Sequence, residues 1–420
     1  MPYERVLVDE AVTHMGPLGF PRCPRAAQKG PRRYRGTMEM RSDDLRMRLA
    51  QAGTAAAAAG LDAIVVTPGA NLVYLVGYDA VPLERITALV IPAVGEGFLL
   101  VPRLEKLAAL ASPVGELGIP VVTWDEADDP YRMIADRLGG IDTIGIADDM
   151  TADKVLRLRD AMPQVEQRLA GAALDRLRQR KSPAEIEALR EAAAAIDRVH
   201  ARIPQLLQVG RTEVEVGADI DRMIREEGHA MVDFIIVASG SNAASPHHAV
   251  SDRVIQAGEP IVIDIGGTMP SGYCSDCTRT YSIEQPPQEY LDAYDRLLKA
   301  QQIAVDHVRP GVTAGSIDSR AREHLGDLAE FFIHRTGHGI GLVTHEEPYI
   351  MDSSDVLIEP GMAFSVEPGF YVENLWGARI EDIVVCTDDG VESLNTRPRE
   401  LCIVPAGAGA GTGAGSGEQT

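Results

Sequence analysis

The sequence predicts an α+β protein in which a smaller α/β domain precedes a larger α+β one, and three observations carry that prediction. Residues 40–165 alternate β-rich runs such as "LDAIVVTP", "ITALVIP" and "TIGIA" with helix-like runs. Residues 166–405 begin instead with long helices and then pass through blocks of short apolar strands punctuated by Gly and Pro, such as "FIIVASG" and "PIVIDIGG". Several of these strands are interrupted by a single carboxylate, which an apolar strand tolerates only when the charge has a partner.

In chain order, a helix over "DDLRMRLAQAGTAAAAAG" leads into the strand "LDAIVVTP". "NLVYLVGY", "ITALVIP" and "GEGFLLVP" are expected as further β-rich runs, followed by a helix near 103–111, "IPVVTW", a helix near 129–138 and "TIGIA". A helix near 151–161 and the strand-like "VEQRLA" close the first domain. The second opens on "KSPAEIEALREAAAAIDRVHARIPQLL". Here Ser182 caps a helix, Pro183 takes its first position, and Glu185 supplies the return half of a capping box. A helix near 212–228, three strands, helices near 287–308 and 313–329, and the closing runs "MAFSVEPGFYV", "ARIEDIVVCT" and "RELCIVP" complete the order.

The formal charge of −22 repels nucleic acid and anionic membrane surfaces and suits an enzyme of small or cationic ligands. No run approaches the ~20 apolar residues of a membrane span, and five scattered cysteines do not make a disulfide framework. A cytoplasmic location is expected. Residues 1–37 carry seven Lys/Arg against three Asp/Glu and no apolar period, so they read as a disordered or non-native extension, with Met38 or Met40 as the expected start. A basic binding arm is the functional alternative. Residues 406–420 read as a flexible low-complexity tail.

Four acids stand in β-like apolar settings: Asp264 in "PIVIDIGG", Asp276 in "YCSDCTRT", Glu367 in "AFSVEPGF" and Glu381 in "ARIEDIVV". Asp264 standing alone reads as a strand-end residue facing water before the Gly266–Gly267 turn. Four such acids together repel one another unless they share a positive charge, and a bound metal pair supplies it. His338 in "TGHGIGL" offers a nitrogen ligand, although a histidine among glycines also reads as a loop residue. An oxygen-rich donor set suits Mn²⁺, Co²⁺, Fe²⁺ or Zn²⁺, and metal-assisted hydrolysis is the reaction class it fits.

The segments "SPHH", "DIGGTMPSGYCSDCTRT", "GHGIGLVTHEEP", "SVEPGFY" and "RIEDIVV" resemble, in residues and in order, the metal-dependent pita-bread peptidases: methionine aminopeptidase, Xaa-Pro aminopeptidase and Xaa-Pro dipeptidase (prolidase). "NLVYLVGYDAVPLERITALVIP" is similar to the creatinase/prolidase N-terminal domain and points to the Xaa-Pro branch. The resemblance implies a pita-bread catalytic domain holding two divalent ions, with Mn²⁺ expected first, on Asp264, Asp276, His338, Glu367 and Glu381, of which Asp276 and Glu381 bridge. It implies hydrolysis of Xaa-Pro bonds in proline-containing peptides by a hydroxide held between the ions, with Glu367 moving the proton, and a homodimer with no nucleic-acid or membrane partner. His247 and His345 would be catalytic and face the substrate, with His248 as an alternative register for His247. Arg379 would either bind a substrate carboxylate or neutralise the carboxylates. Since all five ligand positions are filled, the resemblance disfavours a metal-free or non-catalytic relative; a hydrolase or lyase of a small amide on the same scaffold stays open.

"GYCSDCTRT" also contains a C-x-x-C, which in other contexts marks a redox dithiol or half a zinc site. In an extended strand Cys274, Asp276 and Thr278 share one face and Tyr273 and Cys277 the other. A disulfide between the two cysteines then has the wrong side-chain vectors, and the carboxylate between them is the functional residue.

Overall fold

A computed structural model describes residues 42–406; the basic segment 1–37, both candidate start methionines and residues 407–420 of the tail lie outside the described residues. Six strands form the first sheet: β1 (Ala63–Val66), β2 (Ala88–Pro92), β3 (Phe98–Pro102), β4 (Val121–Trp124), β5 (Thr143–Ile146) and β6 (Glu166–Leu169). Their spatial order is β4-β3-β2-β1-β5-β6, antiparallel across β1–β2 and β2–β3 and parallel in the other pairs. Both faces are covered, so β1 is buried at every position and reads as a continuous apolar run.

"NLVYLV" corrects its β-rich reading. Ala70–Val76 is a helix, stopped by Gly77 in the left-handed region, whose N–H bonds the Val73 carbonyl. All seven of its residues are buried, so no polar face betrays the helical period, and composition alone misassigns it. A second helix, Gly171–Gln179, was not anticipated either. The capping box is as expected: the Ser182 hydroxyl accepts from Glu185 N, and the Glu185 carboxylate accepts from Ser182 N at 2.9 Å.

The catalytic half holds β7 (Met231–Ser239), β8 (Pro260–Thr268), β9 (Cys274–Ile283), β10 (Gly337–Gly339), β11 (Glu346–Ile350), β12 (Ala363–Val366), β13 (Gly369–Val372), β14 (Trp376–Arg379), β15 (Asp382–Cys386), β16 (Val391–Ser393) and β17 (Cys402–Val404). They form the sheets β17-β9-β8-β7 and β11-β10-β12-β15-β16 and the ribbon β13-β14. Helices Pro183–Arg202 and Glu213–Glu226 back the first of these sheets through Ile196, Val199, Ile220, Ile263 and Cys277. Helices Gln288–His307 and Ala314–Leu325 back the second through Ala304, Ile317, Phe364 and Val384. Two helix-backed sheets facing a shared interior are the pita-bread arrangement, and they meet where Glu381 N bonds the Thr278 carbonyl at 3.2 Å.

Within β9 the alternation holds from Cys274 onward. Cys277 lies in the helix-backed core, and Cys274 packs in the cluster that reaches into the first domain. Tyr273 differs from expectation: it precedes the strand, packs with Cys274 and donates its hydroxyl hydrogen to Glu185 at 2.6 Å. Neither cysteine is in a disulfide.

Ser182→Ala should cost about 1 kcal/mol of stability by removing the cap. Equilibrium denaturation should show this as a lower midpoint at an unchanged slope.

Candidate metal centre and active site

Each acid reaches the interior for a local reason. The β8–β9 register sets Asp264 opposite Thr278 and Asp276 opposite Gly266, so both carboxylates come from neighbouring rungs of one antiparallel pair. Glu381 and Asp382 are adjacent and point to opposite sides. Asp382 is held by Arg279 at 2.6 Å and by Arg399, whereas Glu381 turns to the cavity and accepts from the Thr278 hydroxyl at 2.8 Å. Glu367 follows β12, and its Oε1 accepts from the Ser365 hydroxyl at 3.1 Å, while Ser365 Oγ accepts from His338 N at 3.0 Å. Gly337 is obligatory, because a β-carbon there would stand 1.8 Å from the Ser365 carbonyl oxygen.

The five expected ligands, with His247, His345 and Arg379, line one cavity of about 750 Å³. Asp276, His338 and Glu381 present ligand atoms within 4.8 Å of one another, and their relative exposures are 3%, 3% and 1%. Nε2 of His338 lies 3.2 Å from Glu367 Oε1 and 3.7 Å from Asp276 Oδ2. Its Nδ1 donates to the Gly339 carbonyl at 3.2 Å, which fixes the tautomer that leaves Nε2 as the ligating atom.

The electrostatics call for a cation. Burial, and then the charges of Glu381, Asp264 and Glu367, push the Asp276 carboxyl well above its usual range; burial and the charges of Glu367 and Asp264 do the same to Glu381. Burial also opposes ionisation of Glu367, but the surrounding His338, His334 and Arg379 outweigh this and lower its pKa. Asp264 Oδ2 accepts from Arg379 at 2.6 Å, yet the buried Oδ1 of the same carboxylate has no hydrogen-bond partner. A buried carboxylate oxygen left unpaired beside three further acids fits a metal ligand, so these residues suit the divalent ions that the family implies.

His248, the alternative register, is engaged elsewhere: its Nε2 bonds the Glu213 carboxylate at 2.8 Å. Glu213 also accepts from Ser239, Asn242 and Ser251, pinning the loop that carries His247. His247 is exposed on the cavity side of that loop. His345 packs edge-on against His338, with ring centroids 4.1 Å apart, and burial followed by the nearby His338 lowers its pKa to about 4. Arg379 donates to Asp264, Tyr371, Thr278 and the Pro246 carbonyl. That favours the neutralising alternative for Arg379.

Sequence reasoning missed three supporting residues. Thr278 joins Glu381 to Arg379; its shared face with Asp276 was legible, its role was not. Tyr371 accepts from Arg379 at 2.7 Å and donates to His334 Nε2 at 2.8 Å, and His334 in turn donates to the Arg335 carbonyl. No local signal marks Tyr371 or His334, because only the tertiary fold brings β13 against the segment before β10.

A pita-bread domain with an interior nest of carboxylates, set behind a smaller α/β domain, defines a hydrolase of the metal-dependent kind. The sequence profile of metallopeptidase family M24 matches residues 187–388, and that of the creatinase/prolidase N-terminal domain matches residues 48–180. "Probable dipeptidase PepE" of Mycobacterium tuberculosis is 51% identical over 361 residues, which span 85% of this chain and 96% of that protein. The Xaa-Pro dipeptidase of Lactobacillus helveticus is 34% identical over 342 residues, 79% of this chain and 92% of that one. The crystal structure of dipeptidase PepE from Mycobacterium ulcerans superposes with a TM-score of 0.85 at 50% identity, covering 88% of this chain and all of that one. The chain belongs to metallopeptidase family M24, and it is an enzyme. Among the described residues no helix is long and apolar enough to cross a membrane.

Thr278→Val should weaken metal binding by roughly 10-fold or more by releasing Glu381 and Arg379. Competition against a chelator measures this, and unchanged affinity would show that Thr278 does not support the ligands.

Proposed function

We propose that the protein is a dinuclear-metal-dependent peptidase of Xaa-Pro bonds, acting as a dipeptidase, with Mn²⁺ as its metal, in the cytoplasm and as a homodimer. The unpaired Asp264 Oδ1 beside the Asp276–His338–Glu381 group carries the reading. Relatives named as dipeptidases at 51% and 34% identity support the substrate class.

Asp264, Asp276, His338, Glu367 and Glu381 would hold the ions. When bound, the ions supply a Lewis acid for the scissile carbonyl and a hydroxide nucleophile at neutral pH. Glu367 would accept a proton at its carboxylate and pass it to the leaving imino nitrogen. His345 is neutral at pH 7 and donates an N–H to the oxyanion that develops on the carbonyl. His247 faces the substrate from the opposite loop. Arg379 pairs with Asp264 and spends its donors on the protein.

Chelator-stripped enzyme and metal-restored Glu367→Gln should both lose at least about 100-fold in kcat on an Xaa-Pro dipeptide. Full activity in either sinks the mechanism. A panel of Xaa-Pro dipeptides, Xaa-Pro tripeptides and creatine- or ectoine-like amides tests the substrate class: cleavage of the amides alone would move the enzyme to a small-amide hydrolase, and a preference for longer peptides would make it an aminopeptidase.

A further inference from the structure

We infer that Asp233 is a specificity-determining residue of this site, a carboxylate that receives the cationic side chain of a basic Xaa residue, so that dipeptides such as Lys-Pro are preferred; the inference rests on the Xaa-Pro peptidase reading. Five carboxylates line the metal-site cavity, the four expected ligands and Asp233. Asp233 is half-buried and makes no ion pair among the described residues. Its Oδ2 accepts from the Thr268 hydroxyl at 2.6 Å, which fixes the carboxylate and leaves Oδ1 without a protein donor among the described residues. It is thus the one carboxylate of the chamber that no expected ligand role accounts for.

A β-bulge puts it there. Val232 and Ile235 both pack against the helix-backed core that holds Ile263 and Cys277, although strand alternation would put residues three apart on opposite faces. The β7–β8 register takes up the extra residue between Val232, opposite Gly267, and Phe234, opposite Gly266. Asp233 and Phe234 are thereby both turned to the cavity, the re-aiming of a side chain that a bulge permits. A β-carbon at Gly266 would stand 2.5 Å from the Phe234 ring, so the glycine makes room for this arrangement. Across its other edge Gly266 pairs with Asp276, which sets Asp233 two strand spacings, about 10 Å, from the ligand-bearing strand β9.

The substrate's own charges set its direction. The terminal carboxylate of an Xaa-Pro dipeptide belongs to the proline half, so that half turns away from Asp233 and the Xaa half turns toward it. With the scissile carbonyl at the ligand cluster, the α-ammonium is one bond from the adjacent Cα and stays beside the ligands. A lysine stem, about 6 Å from Cα to the terminal ammonium, spans the remaining gap to Asp233. Phe234 and Ile236 lie on the same wall and offer apolar surface to that stem. At its tip the ammonium meets a fixed carboxylate with one open oxygen and forms a charge-assisted hydrogen bond. A neutral aliphatic Xaa leaves Asp233 unpaired, and an acidic one is repelled.

The test is steady-state kinetics of the metal-loaded enzyme on Lys-Pro, on norleucine-proline, which has the same stem without the ammonium, and on Glu-Pro. Wild type should prefer Lys-Pro over norleucine-proline in kcat/KM by roughly 10-fold, with Glu-Pro the poorest of the three. Asp233→Asn keeps an oxygen to accept from Thr268 and removes only the charge. It should raise KM for Lys-Pro by roughly 10-fold, bring the Lys-Pro to norleucine-proline ratio close to one and improve Glu-Pro. Asp233→Glu should restore part of the ratio. An unchanged ratio in Asp233→Asn, or equal losses on Lys-Pro and norleucine-proline, overturns the assignment. Wild type that cleaves norleucine-proline as well as Lys-Pro overturns it too while leaving the peptidase reading intact; wild type that cleaves none of the three removes the reading itself.

Discussion

Four carboxylates converge on one cavity against the single buried guanidinium of Arg379, and most of the catalytic half is arranged to tolerate that imbalance. A buried carboxylate is costly unless it is matched, and a buried group of four is costlier still because like charges repel. The protein compensates with local devices: Thr278 on Glu381, Ser365 on Glu367, Arg379 on Asp264 and the backbone-fixed imidazole of His338. None of them supplies enough positive charge. A divalent cation inverts the balance, turning mutual repulsion into shared ligation.

The junction between the two domains contributes to the same geometry. Arg178 and Lys181, in and just after the Gly171–Gln179 helix, both bind the buried carboxylate of Glu346, the residue next to His345. Arg178 also donates to Asn71 in the short helix Ala70–Val76. A buried ion cluster of this kind is a weak source of stability and a strong constraint on geometry once in place, because removing one member strands the others. His345 is thereby tied to both domains. Glu185 adds a second link, closing the capping box at Ser182 while accepting from the Tyr273 hydroxyl.

What was legible in the sequence follows from how local each signal is. The capping box, the apolar strands and the isolated acids are local patterns, and the helix at Pro183–Arg202 and strands β7, β8 and β9 fall where those patterns put them. The Cys274–Asp276–Thr278 face was readable from strand alternation, and the structure places both Asp276 and Thr278 toward the carboxylates. Tyr273 was misplaced because alternation was extended one residue beyond the strand's start. The Ala70–Val76 helix was hidden by its complete burial, which erases the polar face that reveals a period. Tyr371, His334 and the engagement of His248 with Glu213 are long-range pairings with no short-range trace.

The claim that these carboxylates exist to hold two cations is tested most directly by anomalous X-ray diffraction from crystals grown with Mn²⁺. The account predicts two anomalous peaks within the ring of Asp264, Asp276, His338, Glu367 and Glu381, one of them in contact with Asp264 Oδ1. No peak in that ring, or a single ion that leaves Asp264 Oδ1 unpaired, would contradict it.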